Sequence, residues 1–248
     1  KRAKYVATVA APPHYMEHFS LFSSPARSRL IHRIREINTD IELLDLSQHI
    51  VRQRMVKQPQ ELTAIKKAIT ITNHAIEHVT SAEMLNTYKV AYEIEADLTK
   101  LFRTQGASGH GFEPIVASGD KTCVIHHLKN DQAINSGDLL LLDVGAEYEQ
   151  YSADISRTVS VGEPTKRQQA VFDAVLAVQD YATALLKPGV IYKKYERDVE
   201  QFLGEKLREL GVIRKIEHET VRHYFPHATS HHLGLNTHDP ADYSAPLE

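Results

Sequence analysis

The sequence predicts helices packed on a mostly antiparallel sheet, an α/β or α+β class. Three observations carry that reading. Apolar residues recur at helical spacing along several long stretches. Short apolar runs of strand length lie between them. Turn signals such as Ser136-Gly137-Asp138 and Pro188-Gly189 punctuate the two patterns.

Near the N-terminus, apolar runs at 5–10 and 41–44 flank a helical stretch around 27–37. This is a βαβ-like piece, too short for a complete domain of ordinary size. Residues 51–58 are charged and lead to Pro59, a natural first helical position. From there Leu62, Ile65, Ile69, Ile76 and Val79 mark a helix. A second is expected over 87–102, with Val90, Ile94, Leu98 and Leu101 on one face. Ile115-Val116-Ala117 reads as a strand ending at Ser118-Gly119-Asp120, and Cys123-Val124-Ile125 resumes it before His126-His127. Residues 139–144 read as a strand buried on both faces, with 155–161 as its antiparallel partner. Thr165 with Gln168 forms a capping box for a helix whose stripe is Val171, Phe172, Val175, Leu176 and Leu185. A last helix over 193–210 turns Tyr195, Val199, Phe202 and Leu203 inward and stops at Gly211.

Composition narrows the partners. The 248 residues are 42% hydrophobic and 25% charged, with net charge −3 and mean hydropathy −0.35. That balance gives no reason to expect nucleic acid or a membrane surface as partner. No run approaches the roughly 18 apolar residues of a membrane span. The start, Lys1-Arg2-Ala3-Lys4, is basic, but no apolar core of a signal peptide follows. The lone Cys123 cannot form an internal disulfide and fits a reducing cytoplasm. Histidine is the unusual count. There are fifteen, and six fall within 218–238, interleaved with Phe225, Pro226, Leu233, Gly234 and Leu235.

Asp143 and Asp154 are the most informative acidic pair. A turn centred on Tyr148-Glu149 sets them directly opposite, with Cβ atoms roughly 4.5–5.5 Å apart. Two carboxylates so close repel and resist ionisation. A shared proton relieves the conflict, and a divalent cation relieves it with both groups charged. Alternatively one aspartate points to solvent, or Asp154 pairs with Arg157. Spacing alone leaves these open, because a register slip moves every side chain.

The surrounding residues are more specific. Gly137-Asp138-Leu139-Leu140-Leu141-Leu142-Asp143-Val144-Gly145, followed by Tyr151-Ser152-Ala153-Asp154-Ile155-Ser156-Arg157-Thr158, resembles the metal-binding hairpin of the pita-bread metallopeptidases. Phe225-Pro226-His227-Ala228-Thr229-Ser230-His231-His232-Leu233-Gly234-Leu235-Asn236-Thr237-His238-Asp239 resembles the proline-peptidase branch of that family. Ala228 stands where the family has glycine, and Asn236-Thr237 where it has Asp-Val. Cys123-Val124-Ile125-His126-His127-Leu128-Lys129-Asn130 resembles the segment ending Leu-His-Tyr-x-x-Asn, with His127 in place of tyrosine. Ser230 before His231 favours the aminopeptidase P group over prolidases.

The resemblance covers about four-fifths of the chain, and its implications are definite. The fold would be α+β pita-bread, a curved, mostly antiparallel sheet covered by helices. Residues 1–55 would be the end of a creatinase-like N-terminal domain with its linker, and 56–248 the metallopeptidase domain without its last strands. Asp143, Asp154 and His231 would bind metal, with Asp154 bridging two divalent ions. Manganese is the first choice, and zinc, cobalt or iron are alternatives. His126, His227 and His238 would contact substrate and the tetrahedral intermediate. The activity implied is removal of the N-terminal residue from peptides with proline in second position, through a hydroxide bridging the ions, in a homo-oligomeric cytoplasmic enzyme. The family continues beyond Pro246-Leu247-Glu248 with two glutamates that complete the site. The chain is therefore expected to be cut at both ends, to bind metal weakly or not at all, and to show little activity. Prolidase, or a non-catalytic peptide- or protein-binding module of the same fold, are the alternatives.

Overall fold

A computed structural model describes residues 4–9, 25–244, 246 and 247. Ala10, at the end of the first apolar run, lies outside the described residues. So do the basic start at 1–3 and the terminal Ala245 and Glu248. The chain divides into two compact units, Lys1–Arg54 and Met55–Glu248.

In the first unit, β1 (Tyr5–Thr8) pairs in parallel with β2 (Glu42–Asp45), with Tyr5 against Glu42 and Thr8 against Asp45. Helix α1 (Pro25–Ile37) lies between them in sequence. A parallel pair needs such a crossover connection, so the βαβ reading holds. The charged 51–58 segment differs from expectation, because helix α2 (Ser47–Met55) runs through most of it.

The second unit starts with α3 (Pro59–Val79), short α4 (Ala82–Leu85) and α5 (Ala91–Thr104). Pro59 is the first helical residue, and Glu61 accepts the Gln58 N–H at 2.7 Å as its capping partner. Helix α3 buries the small residues Ala64, Ala68, Thr72 and Ala75, which allow close approach, together with the larger Ile71, whereas Leu62 is exposed. Val90 is the N-cap of α5 and not part of its inner face. Glu93 reaches back to the Val90 N–H, starting the helix four residues later than its apolar spacing predicts.

Two antiparallel three-stranded sheets follow. One is β3 (Gly109–His110), β6 (Ala146–Tyr148) and β7 (Tyr151–Ser152). The other is β4 (Ile115–Ser118), β5 (Leu139–Val144) and β8 (Ile155–Ser160). Residues 119–123 form a 3-10 helix, so the strand expected to resume at Cys123 is absent and His126 sits in a turn. Strand β5 buries Leu140, Leu142 and Val144, and its other face is half-buried. With Ile71, Ile94, Leu98, Phe102 and Val116 these make the main core.

The aspartate hairpin turns one residue later than predicted. Glu149 and Gln150 both have positive φ, 48° and 70°, the two-residue turn whose twist suits antiparallel strands. Tyr148 then pairs Tyr151, Val144 pairs Ile155, and Asp143 faces Ser156 instead of Asp154. Gly145 is required where the hairpin passes between sheets. A Cβ there would stand 1.8 Å from the Ala153 carbonyl oxygen.

Helix α6 (Lys166–Leu185) begins with the predicted box: Thr165 N–H donates to Gln168 Oε1 at 2.7 Å, and Gln168 N–H donates to Thr165 Oγ1 at 3.2 Å. Its stripe does not point inward. Val171, Phe172, Val175 and Leu176 are all exposed, and Ala182 is its only buried residue. Helix α7 (Tyr192–Glu209) buries Tyr195 and Val199 against it, and α8 (His218–Tyr224) follows. Among the described residues, no helix is long and apolar enough to cross a membrane.

Candidate metal centre

The sequence-predicted residues Asp143, Asp154, His126, His227, His231 and His238 all line one open cleft of about 1460 Å³. They arrive from three places. Strand β5 carries Asp143 at its end, and Asp154 lies between β7 and β8. His126 comes from the turn after the 3-10 helix, held at φ 54°. The other three come from the irregular segment after α8.

With Asp143 facing Ser156, Asp154 is two residues from that partner and on the same face of the hairpin. The carboxylates are diagonal neighbours, still within reach of each other. Ser156 Oγ donates to Asp143 Oδ1 at 2.9 Å. Burial raises the Asp143 carboxyl above the usual carboxylate range. The Ser156 hydroxyl opposes that shift, and the charge and hydrogen bond of Asp154 add to it. Arg157 does not take Asp154, since its guanidinium donates to the Ser156 carbonyl at 2.8 Å.

Asp154 instead meets His231. Its Oδ2 lies 3.0 Å from His231 Nε2, while Nδ1 of the same ring lies 3.0 Å from the His232 carbonyl. The carbonyl can only accept, so Nδ1 carries the hydrogen. A neutral ring then turns its Nε2 lone pair toward a carboxylate. That contact is repulsive unless a cation stands between them or a proton occupies Nε2. The hydrogen bond to Asp154 accordingly raises the His231 pKa above the ordinary imidazole value, against the effect of burial. Metal-bound histidines show the same polarity, one nitrogen donating to a carbonyl and the other facing the ion.

His238 packs its ring 4.1 Å from the His231 ring, centroid to centroid. Burial first, then the charge of His231, lowers its pKa below the ordinary imidazole value. Ligand atoms of Asp154, His231 and His238 all lie within 4.8 Å of one another. This donor set fits a divalent ion: one carboxylate, two imidazoles capable of presenting lone pairs, and a second carboxylate whose charge needs compensation. His232, beside His231, is half-buried, and burial lowers its pKa.

Several supporting residues escape sequence reading. Tyr192 donates its hydroxyl to the Ser230 carbonyl. Arg222 donates to the His227 and Pro226 carbonyls at 2.6 and 2.8 Å, and Glu196 accepts the Thr229 N–H at 2.7 Å. Buried Asn130 accepts the Val116 N–H at 2.9 Å and donates to Glu95 at 2.7 Å and the Pro114 carbonyl at 3.0 Å. It pins the His126 turn to the free edge of β4. Its place in the Leu-His-Tyr-x-x-Asn-like segment was the one available signal.

A helix-backed antiparallel hairpin that brings two carboxylates to imidazoles from a later loop is a donor arrangement of the kind that suits a divalent metal. The chain belongs to metallopeptidase family M24, matched over residues 63–247. It is 32% identical over 208 residues to the Xaa-Pro aminopeptidase of Haemophilus influenzae, covering 82% of this chain and 48% of that protein. It is 29% identical over 210 residues to the Xaa-Pro dipeptidase of Pyrococcus furiosus, covering 85% and 56%. The structure of proline aminopeptidase P II from Yersinia pestis superposes with TM-score 0.79 at 26% identity, covering 100% of this chain and 58% of that one. The chain thus has the α+β pita-bread fold that its motifs imply. It spans about half the length of the Xaa-Pro aminopeptidases it matches.

Proposed function

We propose that this chain carries the metal-binding and substrate-facing part of a peptidase that removes the N-terminal residue from peptides with proline in second position. The observation supporting this is the convergence of Asp154, His231 and His238 within 4.8 Å, beside Asp143 in the cleft that His126 and His227 also line. Asp143, Asp154 and His231 are read as ligands, with His238 close enough to join them. Divalent ions held there supply Lewis-acid polarisation of a peptide carbonyl and acidify water. Neutral His238 offers an N–H toward a developing oxyanion. His126 and His227, exposed on the cleft walls, are read as donors that place the substrate carbonyl. Manganese is our choice among the metals such donors accept, before zinc, cobalt or iron.

Three side-chain ligands, or four if His238 joins them, are few for two ions, so turnover by these residues alone is expected to be low. The break at residue 55 is read as the boundary between an N-terminal domain with its linker and the catalytic domain. The lone, exposed Cys123 supports a reducing compartment, and the cytoplasm is our reading of location.

The test is manganese-dependent release of arginine from an Arg-Pro-Pro peptide at high protein concentration. Slow release, abolished by EDTA and by Asp154→Asn, is expected. Preference for the dipeptide Arg-Pro would move the reading to an Xaa-Pro dipeptidase, which the likeness to the Pyrococcus furiosus protein supports. Metal-dependent binding of the peptide without release would support a non-catalytic module, and cleavage indifferent to proline would overturn the reading.

A further inference from the structure

The segment that delivers His231 and His238 is closed on itself by a buried ion pair far away in sequence. Lys57 Nζ stands 3.1 Å from Asp239 Oδ2, with the lysine side chain 9% and the aspartate side chain 1% exposed. Asp239 Oδ1 also accepts the Asn236 N–H at 3.2 Å. The Asp239 N–H donates to the His232 carbonyl at 2.9 Å. That carbonyl is the one that accepts His231 Nδ1 at 3.0 Å and so orients the ring toward Asp154. Gly234 must lack a side chain, because a Cβ there would stand 2.6 Å from Asp239 Oδ2.

A second tie leaves the same helix end. Glu61 Oε1 accepts the Tyr151 hydroxyl at 2.9 Å, three residues before Asp154. The Ser152 N–H donates to the Gly234 carbonyl at 3.0 Å and joins the two ligand-bearing segments directly.

We infer that Lys57 and Asp239, seconded by Glu61, are positioning residues that set the relative placement of His231, His238 and Asp154 for metal. The ion pair acts through the His232 carbonyl, and the glutamate through Tyr151. A buried pair is in general weak evidence for stability, so its value here lies in orientation. Partners that orient metal ligands commonly change affinity about 10–100-fold when removed. The inference rests on the proposed metal site.

The test is titration of the chain with Co²⁺ alone, read by calorimetry and by the visible d–d spectrum. Wild type is compared with Asp239→Asn, Lys57→Met and Glu61→Ala. Asp239→Asn keeps an acceptor for Asn236. Glu61→Ala lies near the surface and covers the case in which Lys57→Met does not fold. Expected are a dissociation constant raised about 10–100-fold in Asp239→Asn, a smaller rise in Glu61→Ala, and an altered band shape in both. A fall in melting temperature with an unchanged constant and spectrum would mean a purely structural role and would overturn the inference. Failure of wild type itself to bind Co²⁺ would instead sink the metal site, and this inference with it.

Discussion

The two helix pairs of the larger unit are built to different standards. Helices α3 and α5 press small and large apolar residues onto β4, β5 and β6, and Phe102, Ile94, Leu98, Ile71 and Leu142 are wholly buried. Helices α6 and α7 bury Ala182, Tyr195 and Val199, and leave Phe172 48% and Val175 56% exposed. The carboxylates Asp143 and Asp154 stand on the hairpin backed by the first pair. His227, His231 and His238 stand on the irregular segment that comes after the second pair and α8. Carboxylates on a hydrogen-bonded hairpin thus meet imidazoles on a segment tied down by side-chain contacts. On the carboxylate side the Glu61–Tyr151 tie adds to a backbone ladder, whereas on the histidine side ties such as Lys57–Asp239 stand in place of one.

The largest effect that sharpens this contrast is on the main core. Phe102→Ala is expected to cost about 3–5 kcal/mol by denaturant unfolding, since the ring is wholly buried. Next comes Thr72, whose Oγ1 accepts the buried Ala146 N–H at 2.9 Å while donating to the Ala68 carbonyl at 2.8 Å. Thr72→Val leaves that N–H without its partner and is expected to cost about 1–3 kcal/mol.

His110 gives a smaller, pH-dependent effect in the same region. Its ring lies 4.9 Å from Phe102, and Nε2 lies 2.7 Å from Thr99 Oγ1. Burial holds its pKa below the ordinary histidine value, with Glu95 opposing. The unfolded chain therefore takes the proton first. The stability from neutral His110 is full above the ordinary value of 6.5 and is lost as pH falls through the depressed folded value. Thermal melts at acidic and neutral pH should show less acid destabilisation in His110→Phe than in wild type. An equal loss would place the acid sensitivity elsewhere. The smallest effect belongs to the second pair: Phe172→Ala should stay within about 0.5 kcal/mol. A cost near that of Phe102→Ala would erase the contrast.

What the sequence made legible was local or strongly patterned. The Thr165–Gln168 cap needs only four adjacent residues, and Pro59 announces its own helix. The α6 stripe shows the limit of periodicity. It establishes an amphipathic helix but not that anything covers its apolar face. The hairpin register went one residue astray because Glu149-Gln150 has neither glycine nor asparagine to signal two positive φ angles. In the site, aspartates and histidines stood out through their motifs. The pairing of Lys57 with Asp239, 182 residues away, did not, because Asp239 closes the histidine motif but nothing local marks its long-range partner.

The central claim is that Asp154 and His231 present their charge and lone pair to one divalent ion. Manganese titration of the chain, followed by the loss of the free-ion EPR signal, tests it most directly. Wild type is expected to take up Mn²⁺ weakly but measurably, with Asp154→Asn and His231→Ala each removing that uptake while the fold, seen by circular dichroism, is kept. Uptake by Asp154→Asn equal to that of wild type would contradict the account.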